Sequence, residues 1–215
     1  MNEHGVALVT GLVFLAAASL LAVMAANGMS LQRLQSGHHA DRARALENAR
    51  IAEAAARAWL LSRPNSEREK ECVTDCVLPA AIAQPGALPP QPEFESLAWW
   101  QAEGTHAGLH PDTGEAAGLP GGTGAPLWVI EELHYAQAEA VEEQPVVGGI
   151  AWYRILGRGT GKNPGVTAVV EAIVARPWEG EFEISPYPPA EGLGPFCAQF
   201  KGSRPCGVQA WRQRR

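Results

Sequence analysis

No charged residue occurs between Val6 and Gln32. The densest apolar part is VALVTGLVFLAAASLLAVMAA, Val6 to Ala26. As a helix it spans about 30 Å, the thickness of a bilayer's hydrocarbon core. Only a helix or a closed barrel satisfies its backbone groups there, and one isolated segment cannot close a barrel. Thr10, Gly11 and Ser19 interrupt the run mildly. Two other readings compete. A cleaved secretory signal would use Val23-Met24-Ala25 as its cleavage region, yet the run exceeds a usual signal core and its flank MNEH has Glu3 and no Lys or Arg. A buried helix of a soluble core is opposed by the run being apolar on every face.

The segment that follows predicts a continuing helix over residues 38–62. Glu47, Arg50, Glu53 and Arg57 form a polar stripe at helical spacing, and Glu53 to Arg57 is a favourable i,i+4 pair. The opposite arc carries Ala45, Ala49, Ala52, Ala55, Ala56, Trp59 and Leu60, so the helix needs a partner surface that can approach closely. Arg63-Pro64 should end it. A single helix from Val6 to Leu61 would be about 85 Å long, with Asn27-Gly28 and Gly37 as places to loosen.

The opening HGVALVTGLVFLAAASLLAVMAA, followed by DRARALENARIAEAAARAWL, resembles the N-terminal region of PilX-type minor pilins of type IV pili. The later stretches WYRILGRGTG (152–161) and VTAVVEAIV (166–174) are similar to their C-terminal part. The resemblance implies a leader, residues 1–5, cut by a prepilin peptidase after Gly5. Val6 would then be the methylated mature N-terminus. Thr10 stands at the fifth mature position, where major subunits carry a glutamate. That departure removes the usual salt bridge to a neighbour's amino group and fits a place at the filament tip. The implied organisation is a transmembrane helix at 6–28, an amphipathic helix continuing the stem at 29–63 with Ala45, Ala49, Ala52, Ala56 and Trp59 as its packing face, and an extracytoplasmic head at 64–215. The N-terminus is expected in the cytoplasm and the head in the periplasm, later on the pilus. Other minor pilins, the major pilin, the prepilin peptidase and the inner-membrane assembly platform are the expected partners. A minor pseudopilin of type II secretion (GspK-like) and a secreted or tethered binding module are the alternative readings.

In the head, prolines and glycines break residues 79–125 into loop, with Phe94, Leu97, Trp99 and Trp100 as an apolar island that serves either core or partner contact. Residues 126–133 read as a strand. Ala151 to Leu156 and Val166 to Val174 read as two antiparallel strands joined by GRGTGKNPG. The alanine-faced helix packed on that sheet gives an α+β fold.

The net charge is −6, and residues 63–215 hold nineteen acids against twelve bases, which does not attract nucleic acid; the tail Arg212, Arg214, Arg215 is the one basic cluster. GTGK at 159–162 is no phosphate loop, because Leu156 and Asn163 occupy positions that need glycine and a hydroxyl residue. No metal site or cofactor is expected. His38, His39, His106 and His110 read as surface, and the cysteine spacing fits no common zinc knuckle. Cys72, Cys76, Cys197 and Cys206 read as two disulfides of open connectivity. Glu131, Glu132, Glu139, Glu142 and Glu143 read as solvated surface. No catalytic set is apparent, so the expectation is a structural protein rather than an enzyme.

Overall fold

The computed structural model describes residues 3–65, 68, 78, 81–116, 126–137, 148–180, 184, 187, 194–200 and 204–214. Its contacts divide the chain into two compact units, Met1–Asp41 and Arg42–Arg215. Helix α1 runs without interruption from Glu3 to Leu61. Asn27-Gly28 and Gly37 therefore do not break it.

In the first unit the helix is bare. From Val9 to Ala40 every residue but Gly28 is exposed, including Leu12, Phe14, Leu20 and Met24. Its most apolar window has a mean hydropathy of 2.3 and no buried share. The Ser19 hydroxyl donates back to the Leu15 carbonyl at 2.5 Å, which removes its polarity from an apolar surface.

In the second unit the alanines change the helix's role. Ala45, Ala49, Ala52, Ala56 and Trp59 are all fully buried against a sheet. The helix stops where Pro64 denies it a continuing N–H, and its last turn is tied off by Ser62 N–H donating to the Ala58 carbonyl at 3.1 Å.

Among the described residues the sheet has six strands: β1 (Ile82–Ala83), β2 (Thr105–His106), β3 (Leu127–Gln137), β4 (Gly149–Thr160), β5 (Thr167–Trp178) and β6 (Gly207–Arg214). The order is β1-β3-β4-β5-β6, with β2 also on β3. All long neighbours are antiparallel, and the two-residue β1 is the parallel exception. A short helix α2 (Leu97–Glu103) begins at Ser96, whose side chain accepts from the Trp99 amide, and a five-residue α3 (Gly194–Ala198) precedes β6.

Strand β4 extends further than its sequence suggests. GRGT (157–160) belongs to the strand rather than to the connecting link, and the turn is confined to residues 161–166. The reason is proximity to α1. A methyl group built on Gly157 would lie 2.7 Å from the Glu53 amide nitrogen, and one on Gly159 would lie 2.7 Å from the Asn48 carbonyl carbon. These glycines are there because helix and strand backbones nearly touch.

Both faces of the sheet are covered along part of their length. The helix face forms the main core, in which Trp59 and Trp128 rings meet at 5.6 Å among Ile130, Tyr153, Ile155, Val174 and Trp178. The opposite face has its own cluster of Trp100, Leu127, Val129, Leu156 and Val169, closed by Leu88 and Trp99. The aromatic island thus divides: Trp100 is buried with its indole N–H on the Pro92 carbonyl at 3.0 Å, whereas Phe94 is 72% exposed.

Candidate assembly surface

Three constellations hold the helix, the sheet and the C-terminal tail together, and they define which surfaces remain for partners.

The first is the helix–sheet seam. Asn48 reaches from α1 to donate to the Thr160 carbonyl at 2.7 Å, fixing the strand end against the helix. One turn on, Glu53 departs from the solvated stripe expected of it. It is 4% exposed, turned toward Gly157, and keeps Arg57 at 3.5 Å. Burial pushes its carboxyl above the ordinary value, and the Arg57 charge only partly offsets this. At the helix end Arg63 donates to Asp112 at 2.7 Å and lies over the Trp59 ring at 4.6 Å. Asp112, with His110 3.7 Å away, therefore belongs to the seam.

The second is a buried polar network on the face of the sheet that α1 covers. Glu131 and Glu132 are not solvated: both are buried. Glu132 takes two bonds from Arg68, at 2.9 and 3.2 Å, and a third from the Tyr153 hydroxyl at 3.0 Å. Tyr153 in turn accepts from the Trp178 indole at 2.8 Å. Burial, then the Glu132 charge, pushes the Tyr153 hydroxyl well above its ordinary range. Arg68 also lies 3.7 Å from the Tyr135 ring centre. Tyr135 donates to Glu179 at 3.0 Å, and burial and that acceptor push it up to about 12. Glu179 holds a left-handed φ of 60°, uncommon for a residue with a side chain, and its carboxylate is anchored here. Each charge has a partner, which is what permits burial.

The third ties β6 down. Glu171, buried in β5, accepts from Arg212 at 2.6 Å and from Arg214, and lies 3.4 Å from Arg154. Arg154 continues to Glu131 at 3.2 Å, and Arg214 to Glu93 at 2.8 Å. Arg212 and Arg214 are thus engaged by the protein's own acids. Cys197 and Cys206 form a disulfide, packed against Phe196, Phe200 and Leu61, directly before β6. Strand β6 itself went unread in the sequence. Its composition, with two arginines and two glutamines, hides a strand whose pairing depends on distant acids.

The remaining expected site residues fall as follows. Gly5 and Val6 lie within α1, their side chains outside the described residues. Thr10 is an exposed helical position. Cys72, Cys76, Glu139, Glu142, Glu143 and Arg215 lie outside the described residues. His38 and His39 are exposed on α1. Among the described residues no group of three or more His, Cys, Asp or Glu is placed to hold a metal ion. Among the described residues, clefts open on the head of about 620 Å³ beside Ile82, Thr105 and Val129 and of about 290 Å³ beside Arg42, Glu93 and Arg214; neither of these linings includes Ser, Cys, His or Lys.

A long, partly bare apolar helix whose second part packs on a small, largely antiparallel sheet is a pilin-like α+β fold. The family of the type IV pilus assembly protein PilX, C-terminal part, matches residues 52–176, more than half of the chain, and the protein belongs to that family. The match begins within α1 and ends in β5, before α3 and β6. No curated protein and no solved structure matches the chain. Membership gives a minor-pilin or pseudopilin role in pilus-related assembly, among other pilins and their machinery. The exposed apolar helix supports a single-pass membrane protein.

Proposed function

We propose that this protein is a structural minor pilin that co-assembles with other minor pilins to initiate or cap a type IV pilus. The observation that carries the reading is the PilX family match on a chain whose first helix exposes an uncharged, almost wholly apolar stretch from Val9 to Ala26. Such a helix needs lipid or other helices of its kind. In this reading the leader is residues 1–5, the membrane helix 6–28, the stem 29–63 and the head 64–215. A prepilin peptidase cuts after Gly5, and Val6 becomes the methylated N-terminus. The N-terminus starts in the cytoplasm with the head in the periplasm. The assembly platform then lifts the subunit into a filament of minor and major pilins. Thr10 offers no carboxylate to a neighbour's amino group, which suits a subunit with none above it.

Intact mass measurement of membrane-extracted protein tests this. The expected mature chain begins at Val6 and carries one added methyl group. A chain beginning at Met1, or near Ala26, would end the pilin reading. Deleting the gene should abolish pili while leaving type II secretion at its normal level, which separates the pilus from the pseudopilus role.

A further inference from the structure

The two edges of the sheet are finished differently. On β3, the short β1 covers Ile130 and Glu131, and the short β2 covers Leu127 and Trp128. On the other side β6 pairs inward with β5, and among the described residues no strand pairs with its outer side. Val208 to Gln213 are all exposed. A bare edge presents a row of N–H and C=O groups, which natural sheets blunt with lysine, proline, short length or bulges. Strand β6 contains neither lysine nor proline. Its one irregularity falls at Gln209, leaving Ala210–Arg214 in regular register with Val169–Ile173. The adjoining disulfide and the Glu171 pairs hold this stretch in place, so a strand joining it meets little ordering cost on this side.

The side chains along the edge state what kind of strand fits. Trp211 is 43% exposed, with Arg50 from α1 at 5.4 Å from its ring centre. It pairs with Ala172, whose side chain is in the helix-face core. Arg212, one residue on, stands on the opposite face beside Glu171, with 64% of its side chain exposed. The edge thus offers an apolar ring on one face and a cation on the other, and it carries no acid of its own. Pairing with β6 of a second copy would set arginines of two chains along one ladder, which is unfavourable.

We propose that the outer edge of β6 is a docking site for an extended segment of a partner subunit that alternates acidic and apolar residues. The segment adds as a further strand beside Ala210–Arg214, its apolar side chains on the Trp211 face and its carboxylates on the Arg212 face. Main-chain bonds supply the attraction and the alternating side chains supply selection. This deepens the co-assembly reading and rests on it for the source of the segment.

The test uses the full-length protein in detergent micelles and follows amide hydrogen exchange across residues 207–214. The probe is a short peptide of alternating glutamate and valine. Its controls are a lysine–valine twin and the same glutamate peptide N-methylated at alternate amides. The glutamate peptide should slow exchange in β6 by about tenfold or more at saturation, and each control by less than about twofold. Arg212→Gln, checked for an unchanged near-ultraviolet spectrum, should weaken the glutamate peptide about three- to tenfold. An absence of protection, or equal protection by all three peptides, overturns the proposal. The mature N-terminus is independent of this result, so a failed edge and a failed pilin assignment are told apart.

Discussion

Gly157 and Gly159 sit where the α1 backbone crosses β4, and no side chain fits between them and the helix. Gly159→Ala must push α1 away from the strand or bend the strand itself. Overpacking of this kind costs about 1–3 kcal/mol. Thermal unfolding of the detergent-extracted protein, followed by near-ultraviolet circular dichroism, should show the loss, and a midpoint equal to the native one would contradict the close contact. Glu53 at the same seam gives a pH signature. Its folded carboxyl binds a proton more tightly than the ordinary value of 4.5, because burial outweighs Arg57. The stabilisation from that proton is complete below the ordinary value and is lost as pH rises through the raised folded value. Glu53→Gln keeps a neutral acceptor beside Arg57 without that dependence. The variant should melt higher than the native protein at about pH 7 and nearly together with it at about pH 4. Removing Glu132 leaves Arg68 buried without its main acceptor, and Glu132→Ala should cost about 3–5 kcal/mol by denaturant titration.

At the scale of elements, local pattern was readable where one face of an element repeats the same chemistry. Ala45, Ala49, Ala52, Ala56 and Trp59 recur at helical spacing, and Val169 to Val174 is dense in β-branched residues, so α1 and β5 follow from short-range rules. What the sequence concealed depends on partners far along the chain. Glu132 meets Arg68, and Glu171 meets Arg212 and Arg214. An acid standing alone in a sequence reads as solvated, because charges are seldom buried and nothing local announces their partner. Gly157 and Gly159 misled for a related reason: glycines beside a turn read as turn until the helix they face is known. The edge strand β6 depends on both kinds of remote partner and on the disulfide before it. Replacing Cys206 by Ser opens a loop whose ends are separated by nine residues. Closure of a loop of this size is worth about 2–3 kcal/mol. The variant should show faster amide exchange in β6 and α3, with β4 and its seam to α1 close to native; uniform loosening of the whole head would mean the bond supports more than this strand.

On the scale of the whole molecule, the chain contains two units with different solvents. The Arg42–Arg215 unit draws its core from Ala45 onward, with helix, sheet and tail all contributing. Among the described residues the Met1–Asp41 unit has no buried side chain, and those from Val9 to Ala26 are almost all apolar and exposed. Its stability must come from lipid or from neighbouring helices. Charge placed at the middle of that helix should therefore disturb location and assembly while sparing the fold of the head. Leu15→Lys combined with Leu20→Lys would cost about 5–7 kcal/mol of insertion, two central lysines at about 2.5–3.5 each. The expected outcome is release of the protein from washed membranes and loss of its incorporation into filaments. The unfolding midpoint of the head should stay within about 2 °C, a shift equivalent to less than 1 kcal/mol for a domain of this size. Retention of the double variant in the membrane would remove the anchor role from this helix. A head that unfolds along with the change would show that the bare helix contributes to its core, contrary to the burial seen from Ala45 onward.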